Sequence, residues 1–151
     1  MLSRIVLLEP EIPQNTGNIG RLASALGLEL WLVGRLGFSI TDKQIRRSGM
    51  DYWSKVAVRH IATLDEYYPL ITPSAAFIST KGVKPYTDIK DTTELVFGSE
   101  SSGLPAIIYE QYPNNLYRIP MKEGIRSINV SSSVAAVAYH ITATTGFIGL
   151  V

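Results

Sequence analysis

Short runs of branched apolar residues recur along the chain, each followed by a stretch with helical spacing, and this alternation constrains the fold most sharply. Residues 5–8 and 29–33 read as buried strands. Between them Ile19, Leu22, Ala23 and Leu26 recur at helical spacing over residues 18–26. Asn15 or Thr16 is available to cap the start of that helix, and Gly27 stands where a left-handed C-cap is needed. The alternation continues with expected strands at 56–61, 75–79, 95–97 and 116–119. Expected helices cover 42–48 after Thr41, 64–68 after Thr63, 106–112 after Pro105, and a last helix from Val130 to Gly146 carrying Val134, Val137, Ala138 and Ile141. Strands of this composition, separated by helices, predict an α/β fold with a parallel sheet covered on both faces.

Open parallel sheets bind ligands beyond the carboxyl ends of their strands. Three polar, glycine-bearing loops are expected there, at 79–82, 98–105 and 120–129. The length of 151 residues suits one domain, and with 46% hydrophobic and 18% charged residues a real core is available. No linker, repeat or low-complexity segment divides the chain, so residues 1–151 are expected to form a single domain.

Composition and motifs exclude several chemistries. The 14 Lys+Arg and 13 Asp+Glu leave a net charge of +1, so any contact with nucleic acid must come from local clustering. The absence of cysteine removes disulfides, zinc ribbons, iron–sulfur clusters and a thiol nucleophile. Residues 98–103 have the glycine spacing of a phosphate-binding loop, but Leu104 and Pro105 stand where lysine and Ser/Thr are required. No G-x-S-x-G elbow is present. His60 and His140 lie far apart without clustered carboxylates, so a structural or solvent role is expected for each and no metal site. The start of the chain lacks a signal peptide's apolar stretch and no run reaches the ~20 residues of a membrane span, so a cytoplasmic protein without membrane contact is expected.

Three stretches concentrate polar groups. Residues 10–21 run from a strand end into a helix, stiffened by Pro10 and Pro13, and place Arg21 in the early turns, where the helix dipole disfavours a cation. Arg21 could instead pair with Glu9 or Glu11 at the surface. Lys43, Arg46 and Arg47 share a helix face near Tyr52 and Trp53, a patch suited to RNA phosphates and unpaired bases, or else an ordinary solvated face. Residues 126–131 gather Arg126, Ser127, Asn129 and Ser131 before the last helix, where Asn129 or Ser131 could serve only as an N-cap.

In this order, the stretches resemble the SPOUT superfamily of RNA methyltransferases. They are most similar to its small 2′-O-ribose branch acting on nucleotide 34 of tRNA. The resemblance is carried by Pro-Glu-Ile-Pro-x-Asn-Thr-Gly-Asn-Ile at 10–19 with Arg21, Leu-Gly-Phe at 36–38, Asp-Lys at 42–43, and Arg-Arg-x-Gly-x-Asp-Tyr at 46–52. Ser-Thr-Lys-Gly at 79–82, Phe-Gly-x-Glu-x-x-Gly-Leu-Pro at 97–105, Ile-Pro-Met at 119–121 and Arg-Ser-x-Asn-x-Ser at 126–131 complete it. It implies a parallel-sheet fold with a C-terminal deep trefoil knot, S-adenosylmethionine as cofactor, a homodimer, and the anticodon region of tRNA as partner. By motif it implies cofactor contacts at Ile78, Gly98, Ile119, Met121 and Ser127. Arg21 and Asn15 would serve the reacting ribose, Glu100 and Asn129 would shape the pocket, and Lys43, Arg46 and Arg47 would hold RNA. Ser101-Ser102 replaces the threonine and basic residue usual after Glu100, and His140 stands where glutamate is common.

Overall fold

The computed structural model describes residues 1–41, 43, 45, 47 and 50–151. Among these, seven strands form one parallel sheet in the order β3-β2-β1-β6-β4-β7-β5. They are β1 (Arg4–Leu8), β2 (Glu29–Val33), β3 (Val58–Ile61), β4 (Ala76–Ile78), β5 (Lys84–Pro85), β6 (Glu94–Phe97) and β7 (Leu116–Arg118). β1 pairs on one side with β2, Ile5 opposite Leu30, and on the other with β6, Ile5 opposite Leu95. The strand order therefore reverses between β1 and β6, which is where such sheets open a crevice.

Alternation along the strands assigns the two faces. Ile5, Leu7, Leu30, Leu32, Leu95 and Phe97 point into one core. Helices α1 (Pro13–Leu26) and α4 (Val130–Thr144) cover them with Ile19, Ala23, Val134, Val137 and Ile141. Val6, Leu8, Trp31, Phe77 and Val96 point the other way, under Tyr67 of α2 (Leu64–Tyr67) and Ile108 of α3 (Ala106–Gln111). Both faces are dry, as the near-continuous apolar strands require.

Element boundaries differ from the sequence expectation where local signals were absent. α1 begins five residues early, at Pro13, and neither Asn15 nor Thr16 caps it; both are buried inside the helix. The two-residue strand β5 contains a proline and carries no readable periodicity. The expected strand at 56–61 starts at Val58, after a 3-10 turn over Met50–Lys55. Gly27 adopts the left-handed C-cap expected of it (φ 67°), and Thr63 accepts a hydrogen bond from the amide of Glu66. Of the helix expected over 42–48, Lys43, Ile45 and Arg47 have helical backbone, Ile45 being buried and the two cations exposed. Asp42, Gln44, Arg46 and Ser48 lie outside the described residues.

A polar network closes the amino-terminal edge of the sheet. Fully buried Glu94 accepts from Arg4 Nε at 2.9 Å, the Thr72 amide at 2.6 Å and the Thr72 hydroxyl at 3.1 Å. The Arg4 guanidinium lies 3.9 Å from the Trp31 ring, over which Arg59 also sits at 4.5 Å. Burial and the neighbouring Glu94 push the Tyr67 phenol well above its ordinary range. Among the described residues, no helix is long and apolar enough to cross a membrane.

Candidate active site

The loops leaving the carboxyl ends of β1, β4, β6 and β7 converge on one cavity of about 530 Å³, a size typical of small-molecule sites. Ile78, Gly98, Ile119, Met121 and Ser127, expected to touch a cofactor, all line it, as do Asn15, Glu100 and Asn129. These residues come from four separated segments. Gly98 is required sterically: a Cβ there would land on the carbonyl carbon and oxygen of Gly103, because the 99–103 turn folds straight back onto it. That turn is closed by the paired backbone bonds of Ser99 and Gly103.

One hydrogen-bonded chain holds the segments together. The Glu100 carboxylate accepts from the amides of Glu11 (2.8 Å) and Ile12 (3.1 Å) and from Asn15 Nδ2 (3.1 Å). Asn15 Oδ1 accepts from Asn129 Nδ2 at 2.9 Å. Asn129 Oδ1 in turn accepts from the amide (2.9 Å) and hydroxyl (2.6 Å) of Ser131, capping α4. Asn129 is thus both the N-cap allowed by the sequence and a bridge to α1. Glu100 supplies from a distant loop the carboxylate that the amino end of α1 lacks locally. This explains the early start of α1 without a side-chain cap from its own segment.

A second clasp was invisible in the sequence. Glu11 accepts from the Ser101 hydroxyl (2.5 Å) and amide (3.1 Å). The Ser101 hydroxyl, and after it the amide, hold the Glu11 carboxyl below its usual range. On the opposite wall, Ser79 and the Tyr109 hydroxyl are bonded at 2.7 Å, and Lys81 lies 5.3 Å from the Tyr109 ring. The pairing of Ser101 with Glu11 and of Ser79 with Tyr109 crosses between distant segments, so neither has a local pattern to announce it.

Arg21 is placed elsewhere. It is exposed on the outer face of α1, 5.2 Å from the Tyr52 ring, and borders a shallow depression of about 400 Å³ with Asn18, Leu22, Ala25, Ser131, Ser132 and Ala135. It does not line the larger cavity. Trp53, expected to be available to RNA bases, is half-buried and packs its ring onto Gly20. Lys43 and Arg47 line none of these cavities. His140 packs edge-on to Tyr86 at 5.2 Å, and exposed His60 lies 3.4 Å from the Gly34 carbonyl. Among the described residues no three of His, Cys, Asp or Glu converge.

An open parallel sheet with a ligand-sized cavity beyond its carboxyl ends, walled by glycine-bearing loops, defines a ligand-binding α/β domain. The profile of the SpoU rRNA Methylase family matches residues 3–139, and the chain belongs to that family. It is 40% identical over 149 residues to the tRNA (cytidine(34)-2′-O)-methyltransferase of Saccharophagus degradans, an alignment covering 96% of this chain and 97% of that protein. A structure described as giving insights into the 2-OH methylation of C/U34 on tRNA superposes with a TM-score of 0.86 at 33% identity, covering 96% of this chain and 97% of the other. The SpoU methyltransferase AviRb from Streptomyces viridochromogenes, solved with AdoMet, shares the fold at a TM-score of 0.84 and 21% identity, covering 95% and 58%.

Proposed function

We propose that the chain is an S-adenosylmethionine-dependent 2′-O-ribose methyltransferase acting on the wobble nucleotide of tRNA, cytidine 34 or a modified uridine 34. The observation that carries this reading is the meeting of eight motif-matched residues in one cavity, tied by the Glu100–Asn15–Asn129 chain. The names of the tRNA-modifying relatives support the substrate class.

The residues present fit the cofactor. Ile78, Ile119 and Met121 offer an apolar slot for a purine, and Gly98 leaves backbone within reach of a ligand. Ser127 adds a hydroxyl at the rim. When bound, S-adenosylmethionine supplies a methyl group activated by its sulfonium. The protein's task is then alignment and charge placement. Glu100 and Asn129 hold the β6 and α4 loops in register with α1, and Asn15 keeps its amide between them.

What the cavity lacks in one chain is an arginine for the ribose and its phosphate: among the described residues that line it the one cation is Lys81, over the Tyr109 ring on the wall away from Asn15. We assign that role to Arg21 of a second copy. Its setting supports this: the depression beside Arg21 is floored by small side chains, Ala25, Ser131, Ser132 and Ala135, which let helices of two copies approach closely. Arginine with a pKa above ~12 stays protonated, so Arg21 stabilises the developing alkoxide rather than removing the proton. Lys43, Arg46 and Arg47 would hold the anticodon arm. The reading further includes a single cytoplasmic domain, a homodimer, and a C-terminal deep trefoil knot.

Incubation of the protein with methyl-labelled S-adenosylmethionine and total RNA, followed by nucleoside and fragment mass spectrometry, tests the reading. Label at the 2′-oxygen of nucleotide 34 of tRNA is expected. Label confined to ribosomal RNA, or none on RNA despite cofactor binding, would contradict it.

A further inference from the structure

A second cavity of about 380 Å³ lies back to back with the first, sharing Ser99, Ser101, Ser102, Gly103 and Leu104 with it. The Glu11–Ser101 clasp stands on this shared wall. Its apolar surface comes from Leu8, Leu36, Leu64 and Pro105, and its charged groups are Glu9, Glu11 and Arg35.

Glu9 is the unusual one. It holds a left-handed conformation (φ 49°) directly before Pro10, which a side-chain-bearing residue keeps only where the surroundings enforce it. They do: its side chain lies along Gly34, where a Cβ would come within 2.8 Å of Glu9 Cγ, and its amide bonds the Val33 carbonyl at 2.8 Å. The Gly37 amide bonds the Pro10 carbonyl at 3.0 Å, locking the loops after β1 and β2 together. Yet among the described residues the Glu9 carboxylate accepts no hydrogen bond, and Arg35, exposed, has no hydrogen bond or ion pair. A strained, tightly built corner that presents an acceptor and a donor without partners has the character of a ligand site.

The chemistry narrows the ligand. Two carboxylates repel an isolated anion, and Arg35 repels a cation. A flat heterocycle with N–H donors beside ring or carbonyl acceptors satisfies both signs, while Leu36, Leu64 and Pro105 offer it an apolar face. We propose that this second cavity is a nucleobase subsite, seating one base of the substrate RNA with Glu9 accepting from its N–H edge and Arg35 donating to its acceptors. The proposal rests on the chain acting on RNA, and it places a base on the far side of the 99–103 turn from the methyl donor.

Binding of a fluorescently labelled anticodon stem-loop RNA to the full protein tests it without requiring turnover. Glu9→Gln keeps the side chain's shape against Gly34, and Arg35→Met keeps its length. Each is expected to weaken RNA binding about tenfold, with S-adenosylhomocysteine affinity by calorimetry within twofold of wild type. Abasic substitution through the loop should find one position where losing the base costs wild type a similar factor and costs the variants little. Variants that bind as wild type does, or whose loss is the same at every abasic position, would overturn the subsite. Wild type that binds no RNA would overturn this proposal and the functional reading together. Wild type that binds in this pattern but transfers no methyl group would overturn only the latter.

Discussion

At the residue scale, the carboxylates of the β1–α1 and β6 loops are held by different partners and respond to different perturbations. Glu100 is fixed by amides and Asn15, whereas Glu11 depends first on one hydroxyl, that of Ser101. Because folding depresses the Glu11 pKa, its contribution is complete above the ordinary carboxylate value and is lost as pH falls through the lowered one. In Ser101→Ala the Glu11 midpoint should rise toward the ordinary carboxylate value, followed by NMR titration. An unmoved midpoint would mean the hydroxyl contact is absent in solution. Glu94 belongs to another class: it is wholly buried, and Glu94→Leu strands Arg4 and the Thr72 amide. A loss of about 3–5 kcal/mol is expected in denaturant unfolding, and a loss below about 1 kcal/mol would show the network to be dispensable.

At the scale of elements, Asn129 separates two jobs that one substitution would confuse. Asn129→Ser keeps an N-cap for α4 but gives up the bond to Asn15. Its stability should stay near wild type while S-adenosylhomocysteine binding weakens. Asn129→Ala should also lose about 1 kcal/mol of stability. Cofactor binding in Asn129→Ser within twofold of wild type would show that the bridge to α1 does not shape the cavity. Gly98→Ala is expected to abolish cofactor binding, since the added methyl needs the space of the Gly103 backbone. Binding within twofold of wild type, measured by calorimetry, would contradict that geometry.

The same elements show what could be read ahead of the structure. The central strands, α4 and the three loops at the strand ends were legible because apolar periodicity and glycine placement are local signals. The start of α1 was not, because the two residues that lead into it, Glu11 and Ile12, give their amides to Glu100, about ninety residues away. Trp53 looked like an exposed aromatic beside cations, yet the Gly20 surface that takes its ring is formed only once α1 packs. The residues expected to hold the donor were named as a set from motif order, and the structure brings them to one cavity. Their connection through Asn15 and Asn129, and the clasp of Glu11 by Ser101, are tertiary and left no mark in spacing.

At the scale of the whole molecule, the single chain holds a ligand-sized cavity on one side of α1 and Arg21 on its outer face, and the reaction is for that reason proposed to use two copies. Paired symmetrically, they would each lend Arg21 to the other. Mixing two inactive variants, Arg21→Ala and Gly98→Val, and letting subunits exchange tests this most directly. Hybrid pairs would contain one intact donor cavity faced by one intact Arg21. Methyl transfer to tRNA should then return to about a quarter of the wild-type rate, the share of complete sites under random pairing. A mixture as inactive as its two components, with exchange verified by mass spectrometry, would contradict a site shared between copies.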